Sequence, residues 1–186
     1  MTTALILIDI QNDYFPGGKG ELHEPIAASL RARQLLDHFR QARWPLVHIQ
    51  HVAIKPGAKT MLPGTVGVEI HENVRPLEGE VVFQKHYPNS FRDTPLLDHL
   101  RREGVTRVVI CGMQTNMCVD ATTRAAFDFG FECVVAHDAC AARTLTFQGQ
   151  VIPAPQVHGA FLAALGASYG KVLSVEEIIT EISGHG

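Results

Sequence analysis

Three side chains in this sequence could together cleave an acyl bond: the thiol of Cys118, the carboxylate of Asp9 and the ammonium group of Lys85. A cysteine attacks as its thiolate, which a nearby cation or a helix N-terminus favours. A carboxylate within reach can take the thiol proton and later pass it to a leaving amine. These residue types therefore predict nucleophilic catalysis on an amide-type bond.

The residues before Cys118 indicate how the thiol is presented. Gly112 permits a tight backbone after an apolar strand, and Thr115 or Asn116 can cap the helix that follows. Free N–H groups at such a helix start could bind the oxyanion of a tetrahedral intermediate. We expect the helix dipole and Lys85 to favour the thiolate. The alternative is a buried, inert thiol, the usual state of a free cysteine.

Other interpretations of the charged groups stay open at this point. Asp9 could cap a loop or pair with an arginine, and Lys85 could be a solvated surface charge. His137, which follows a predicted strand, could act as the base instead of Asp9. His48 and His51 are three residues apart on one predicted strand, so their side chains point to opposite faces and do not share one metal ion.

Strand and helix patterns alternate along the chain. Apolar runs without period-2 alternation indicate strands covered on both faces. We predict strands over 4–9, 46–52, 80–84, 107–111, 131–136 and 171–173. We predict helices over 25–43, 95–103, 116–129, 155–165 and 175–182. The Gly- and Pro-rich stretch 55–76 reads as a long irregular excursion, which inside a compact domain is usually functional.

This alternation predicts a Rossmann-like three-layer α/β sandwich: a mostly parallel six-stranded sheet with helices on both faces, joined by right-handed crossovers. The 186 residues fit one domain over 1–186. Ligands of such sheets bind beyond the carboxyl ends of the strands. Asp9, Lys85 and Cys118 all lie at such ends, so we expect them to converge on one edge.

Composition and charge favour a small-molecule substrate, rather than a nucleic acid or a membrane, as the binding partner. The formal net charge of -3 gives no reason to expect a nucleic acid or a membrane surface. No apolar run is long enough to span a bilayer, and the N-terminus carries no leader pattern, so we expect a cytoplasmic protein. The four cysteines form two pairs in the sequence, and the two members of each pair are seven residues apart. This spacing favours free thiols over a zinc site.

Five sequence segments, in order and over nearly the whole chain, resemble the isochorismatase-like cysteine hydrolases, the superfamily that includes nicotinamidases and carbamoylsarcosine amidohydrolase. They are DIQNDY at 9–14 followed by Gly17-Gly18, GTVGVEIH at 64–71, Lys85 after the third strand, GMQTNMC at 112–118, and HDAC at 137–140. Each segment alone is weak, and together they are specific. The match is best with the cysteine-hydrolase branch whose members have no assigned substrate.

The resemblance implies an Asp9–Lys85–Cys118 triad, a thioester acyl-enzyme and a cis peptide bond between Met113 and Gln114. It implies an oxyanion hole made by the backbone N–H groups of Gln114 and Cys118. It also implies a homo-oligomer, either a dimer or a tetramer. From their positions beside these residues we expect six side chains to border the substrate: Gln11, Tyr14, Phe15, Asn89, Phe91 and Met113.

Two departures from relatives narrow the activity. Isochorismatases that hydrolyse a vinyl ether lack the cysteine, so Cys118 argues against that reaction. Nicotinamidases hold a metal through an Asp-x-His motif after the second strand, where this chain has His51-Val52-Ala53-Ile54-Lys55. We therefore expect no metal and no other cofactor. The favoured activity is hydrolysis of a small amide, ureido or lactam; the alternatives are an isochorismatase-type hydrolase of a chorismate-like compound and a non-catalytic metabolite binder.

Overall fold

The computed structural model describes residues 2–184 and contains a six-stranded parallel sheet. Its strands are β1 (Thr2–Ile8), β2 (Leu46–His51), β3 (Val81–Lys85), β4 (Val105–Met113), β5 (Glu132–Ala141) and β8 (Lys171–Leu173). The helices are α1 (Pro25–Ala42), α2 (Leu96–Arg102), α3 (Asp120–Asp128), α4 (Ala154–Ser168) and α5 (Val175–Ser183). The predicted α/β sandwich is confirmed. Among these helices, none is both long and apolar enough to cross a membrane.

Each face of the sheet buries its own core, because alternate strand residues point to opposite sides. One core packs Leu5, Leu7 and Val109 against α1 and α5. The other packs Ile6, Ile8 and the residues beside them against α2, α3 and α4. This two-sided burial explains why the strands read as continuous apolar runs in the sequence.

The strand order β3-β2-β1-β4-β5-β8 reverses direction between β1 and β4. A parallel sheet opens a crevice at this switch point, beyond the carboxyl ends of the two strands. Gly112 near the end of β4 has φ +130°, and a Cβ there would collide with the carbonyl oxygen of Ile8. Glycine therefore allows β1 and β4 to stay close where the crevice begins.

Several predicted boundaries are wrong in detail. The predicted helix 116–129 is two elements, a π-helical turn at Thr115–Val119 and then α3. The stretch 55–76 contains 3₁₀ turns at Val66–Val68 and Glu72–Val74. Sequence patterns also missed a small antiparallel hairpin, β6 (Leu145–Phe147) with β7 (Gln150–Ile152). Its two-residue turn has Gln148 and Gly149 at φ +49° and +78°, and glutamine is an unusual residue at such a position.

Candidate active site

A fully buried ion pair lies at the carboxyl ends of β1 and β3. Asp9 directly follows β1 with φ +50°, and Lys85 is the last residue of β3. Lys85 Nζ is 2.8 Å from Asp9 Oδ2, and both side chains are 0% exposed. β2 lies between these strands, so their backbones are separated by roughly 10 Å. Only a long cationic side chain can cross that gap to reach the carboxylate.

Two backbone carbonyls hold the lysine in place. Lys85 Nζ donates to Tyr87 O at 3.2 Å and to Pro88 O at 2.9 Å. Asp9, by contrast, accepts no backbone N–H hydrogen bond from the described residues through either buried oxygen. Lys85 is thus the main compensation for the Asp9 charge, because a buried carboxylate is costly without a partner.

Cys118 completes the cluster from the other side of the crevice. It lies in the π-helical turn, where the carbonyl of Gln114 accepts from Met117 N at 3.0 Å and from Val119 N at 3.2 Å. Turns of this kind are frequent at functional sites. The Asp9 and Lys85 side chains lie close enough to the Cys118 thiol for both charges to shift its pKa. The structure therefore brings together all three residues of the predicted triad.

The electrostatics at Cys118 differ from the sequence-based expectation. Burial raises the pKa of the Cys118 thiol, and the Asp9 carboxylate raises it further, while Lys85 opposes both effects. Lys85 acts in the expected direction and favours the thiolate, but burial, which sequence spacing did not reveal, outweighs it because desolvation disfavours the charged form. Burial also opposes the charge of Lys85, but Asp9 and Cys118 outweigh it and raise the pKa of the lysine. The resting cluster is a neutral thiol beside an ion pair.

Tyr14 and Gln114 border the cluster next to the thiol. Burial, together with the charges of Asp9 and Cys118, raises the pKa of Tyr14, so its phenol stays protonated. Gln114 Nε2 is 3.5 Å from Tyr14 Oη, while Gln114 Oε1 is buried with no partner in the described part of the chain. The peptide bond between Met113 and Gln114 is cis.

A cavity of about 270 Å³ opens above Cys118. Its floor includes Tyr14, Gln114 and Cys118, and two imidazoles, His51 and His86, line its wall. Burial lowers the pKa of His51. The charge of Asp9 raises this pKa, and the charges of Lys85, His86 and Lys55 lower it. His51 is therefore neutral, and its buried Nδ1 has no partner among the described residues. His86 is fixed through Nδ1, 2.8 Å from Val52 O.

Five of the six predicted pocket residues do not line this cavity. The Gln11 amide joins β2 to the following loop, accepting from His51 N at 2.8 Å and donating to Val68 O at 2.6 Å. Phe15 instead stacks on His71, with ring centroids 3.6 Å apart. A 3₁₀ turn at Asn12–Tyr14 separates the directions of Tyr14 and Phe15, so only Tyr14 reaches the cavity.

The remaining three predicted pocket residues are structural. Asn89 Oδ1 accepts from the backbone N–H of Phe91 at 2.9 Å. Phe91 packs in the core against Phe129 and Phe131, with centroids 5.2 and 6.3 Å away. Met113 is fully buried beneath the other face of the sheet. These predictions are wrong because proximity along the chain does not determine side-chain direction in a loop.

His137, the alternative base, lies elsewhere. It belongs to β5 and lines a separate cavity of about 350 Å³ with His23 and His158. The contacts of Cys118 are instead with Asp9 and Lys85. His137 and Cys118 therefore line different cavities.

Sequence reasoning marked 55–76 as a functional excursion but did not assign any of it to the cavity, whose roof is the loop at 53–61. Residues 53–61 cross above Cys118, and Ala53 N donates to Met61 O at 2.9 Å to close the loop at its base. The buried carboxylate of Asp13 accepts from Met61 N at 2.6 Å. A Cβ on Gly67 would collide with that carboxylate. The available signal was Pro56-Gly57, a dipeptide that marks a tight turn.

The potential metal ligands near Cys118 are histidines. Residues 2–184 contain no group of three or more His, Cys, Asp or Glu side chains placed to hold an ion. His51 and His86 line the cavity, but the third imidazole of the region, His71, is stacked on Phe15. Metal-independent activity stays a prediction that a chelator can test.

Comparison with known protein families gives one match over most of the chain: the isochorismatase domain, over residues 3–177. The chain belongs to the isochorismatase family. Within this family it is 50% identical over 179 residues to the uncharacterised protein YddQ of Bacillus subtilis (strain 168), covering 96% of this chain and 99% of YddQ. Isochorismatase-family members are hydrolases, and some of them are amidases. This chain is therefore classified as a hydrolase.

Two further relatives support the fold and the breadth of the family. A crystal structure of an isochorismatase-type hydrolase from Oleispira antarctica superimposes with a TM-score of 0.92 at 48% identity, covering 96% of each chain. Nicotinamidase 3 of Arabidopsis thaliana is 27% identical over 197 residues, covering 98% of this chain and 89% of its own length. The isochorismatase-family fold thus carries amide hydrolysis in at least one relative.

Proposed function

We propose that this protein is a cysteine amidohydrolase that cleaves a C–N bond in a small carboxamide, ureido or lactam compound. One observation carries the proposal: the fully buried pair of Asp9 and Lys85, 2.8 Å apart, is in contact with the Cys118 thiol. A buried charge pair is costly to maintain, and it adjoins a nucleophile at the carboxyl edge of the sheet. A merely structural thiol has no need of a base and a cation beside it.

In the proposed acylation step, Asp9 takes the proton of Cys118 as the sulfur attacks the substrate carbonyl carbon. The carbonyl π electrons move to oxygen, and the backbone N–H groups of Gln114 and Cys118 stabilise that oxyanion. Collapse breaks the C–N bond, and the amine leaves with the proton held by Asp9. Lys85 balances the charge of the carboxylate and favours the developing thiolate.

In the second step, water attacks the thioester carbonyl carbon while Asp9 accepts a proton from the water. The tetrahedral intermediate collapses, the carbon–sulfur bond breaks, and the acid product leaves. The proton on Asp9 returns to the sulfur of Cys118, which restores the resting neutral thiol. The net reaction consumes one water and releases one amine and one acid.

The cavity supports an amide-bearing small molecule as substrate. About 270 Å³ is at the small end of the range for ligand pockets and leaves no room for a long peptide. Gln114 Oε1 and His51 Nδ1 are polar atoms without partners in the described structure. Tyr14, His51 and Gln114 line the cavity, and an amide group, with N–H donors and a carbonyl acceptor, suits such polar side chains better than an apolar ligand does.

An ammonia-release screen over small primary amides and ureas tests this function, and mass spectrometry detects the ring-opened amino acid formed from a lactam. Cys118→Ala is expected to abolish release for any substrate found, whereas Cys133→Ala, which removes another buried thiol, is expected to retain it. Mass spectrometry of the quenched wild type should show an acyl adduct on the peptide containing Cys118. Dialysis against a chelator is expected to leave the rate unchanged. Full activity in Cys118→Ala, or an adduct-free steady state with loss of activity to the chelator, contradicts the proposal.

A further inference from the structure

Two lysines on the loop over the active site face the same cavity as the nucleophile. Lys55 and Lys59 both line the cavity that contains Cys118. The chain reverses between them in a tight turn, with Ala58 N donating to Lys55 O at 3.2 Å and Gly57 at φ +80°. This is the backbone of a type II turn, with proline and glycine at its two central positions. The turn places both ammonium groups at the rim of one small cavity.

The loop holding the lysines is anchored independently of any ligand. Its base is closed by the Ala53–Met61 backbone hydrogen bond of 2.9 Å. The Met61 side chain is only 2% exposed, and its N–H donates to the buried carboxylate of Asp13 at 2.6 Å. The rim cations are therefore carried on a positioned loop rather than on a free surface segment, which reduces the ordering cost of binding.

The electrostatic balance of the cavity is positive. Of the described residues that line it, none is an aspartate or glutamate. Asp9 lies beneath, where it is already paired with Lys85. Neither Lys55 nor Lys59 is within ion-pair distance of a described carboxylate. The charge of Lys55 also lowers the pKa of His51, which lines the same cavity. A low-dielectric cleft lined by one sign of charge attracts ligands of the opposite sign.

We propose that the substrate carries a carboxylate, which Lys55 and Lys59 bind while its scissile carbonyl lies against Cys118. This inference rests on the proposed amidohydrolase function and names its substrate class as small anionic amides. Because the two lysines are solvent-exposed, each contributes modestly: roughly two- to fivefold in affinity, in the range of surface ion pairs. The preference should weaken as ionic strength rises, since exposed charges are screened.

The charge preference can be measured without any substrate, from two alkylating reagents of nearly equal size. Iodoacetate is anionic and iodoacetamide is neutral, so the ratio of their rates at Cys118 reports the field in the cavity. Lys55→Gln and Lys59→Gln are each expected to lower the iodoacetate-to-iodoacetamide ratio two- to fivefold, and the double variant further. Lys19→Gln is the matched control, because Lys19 is exposed but does not line the cavity. An unchanged ratio in the double variant overturns the proposal.

A substrate series then separates this inference from the underlying function. Succinamate, succinamide and a cationic aminoalkyl amide present similar amides with negative, neutral and positive charge. We expect the highest kcat/KM for succinamate and a KM increase for succinamate alone in the Lys55→Gln and Lys59→Gln variants. Equal turnover of all three amides would retain the amidohydrolase and refute the carboxylate preference. If no amide reacts, calorimetric binding of succinate against succinamide decides the charge preference on its own, and weaker binding of succinate refutes it.

Discussion

Replacing Lys85 with methionine is the sharpest test of the buried ion pair. Methionine retains most of the length of the lysine stem, so the variant removes the charge with little change in volume. What remains is the Asp9 carboxylate, 0% exposed and without Lys85, its only ionic partner in the described part of the chain. The two hydrogen bonds to the carbonyls of Tyr87 and Pro88 are lost as well.

The expected cost can be worked from the 2.8 Å separation. At an effective dielectric constant of about 20, two unit charges that far apart attract by about 6 kcal/mol. Mutations that remove one member of a buried pair lower stability by about 3–5 kcal/mol. Taking about 4 kcal/mol and a urea m-value of about 2 kcal/mol/M, the unfolding midpoint of Lys85→Met should fall by about 2 M urea.

The decisive assay is a double-mutant cycle with Asp9→Asn. Urea unfolding can be followed by the fluorescence of Trp44, the single tryptophan, which packs 5.4 Å from the buried Phe39 ring and away from the site. Far-UV circular dichroism checks that unfolding is two-state. The double variant Asp9→Asn/Lys85→Met carries no unpaired charge at this site, so it should be more stable than either single variant. Strictly additive losses would refute the assignment of a coupled buried pair.

Three further predictions concern the thiol, the loop and the rim of β3. Asp9→Asn removes a charge that raises the pKa of Cys118, so iodoacetamide should label Cys118 faster than in wild type. Lys85→Met removes a charge that lowers this pKa, so it should slow the labelling. A change in the same direction in both variants would contradict the electrostatics. Gly67→Ala places a methyl group against a buried carboxylate and should lower stability by about 1–3 kcal/mol in urea unfolding, whereas Gly159→Ala, in open space on α4, should not. Ion pairing and hydrogen bonds overcome burial to lower the pKa of Glu80 to about 2. The stability from Glu80 is thus present above its unfolded pKa near 4.5 and lost as the pH falls toward 2, so the destabilisation by Glu80→Gln should shrink on acidification; a constant difference across that range would contradict it.

The fold was predictable because it depends on apolar strand and helix patterns that remain recognisable even where the connecting loops are irregular. A parallel sheet buried on both faces requires continuous apolar strands, and such runs can be read without knowledge of the loops. The positions of Asp9, Lys85 and Cys118 follow from the same rule, since each lies at the carboxyl end of a strand or in the turn after it. Their convergence is a property of topology rather than of side-chain detail.

The cavity walls were not predictable because they depend on the course of irregular segments. Tyr14 and Phe15 are adjacent, yet one lines the cavity and the other stacks on His71. The loop over residues 53–61 is held by Asp13, a contact across 48 positions of sequence. A hydrogen bond between distant segments leaves no periodic signal, so only the three-dimensional arrangement shows that Asp13 supports the cavity roof.

The protonation state of Cys118 depends on how deeply its side chain is buried, and the spacing of residues in the sequence does not reveal this. A lysine beside a cysteine favours the thiolate, but burial and the Asp9 carboxylate reverse that balance here. In the proposed mechanism, the same Asp9 charge that disfavours the thiolate at rest makes Asp9 the proton acceptor once a substrate carbonyl approaches. The proton then moves from sulfur to oxygen, while Lys85 remains beside the developing charge. We therefore expect the thiol to react slowly with passing electrophiles and to become nucleophilic when a substrate is bound against both groups.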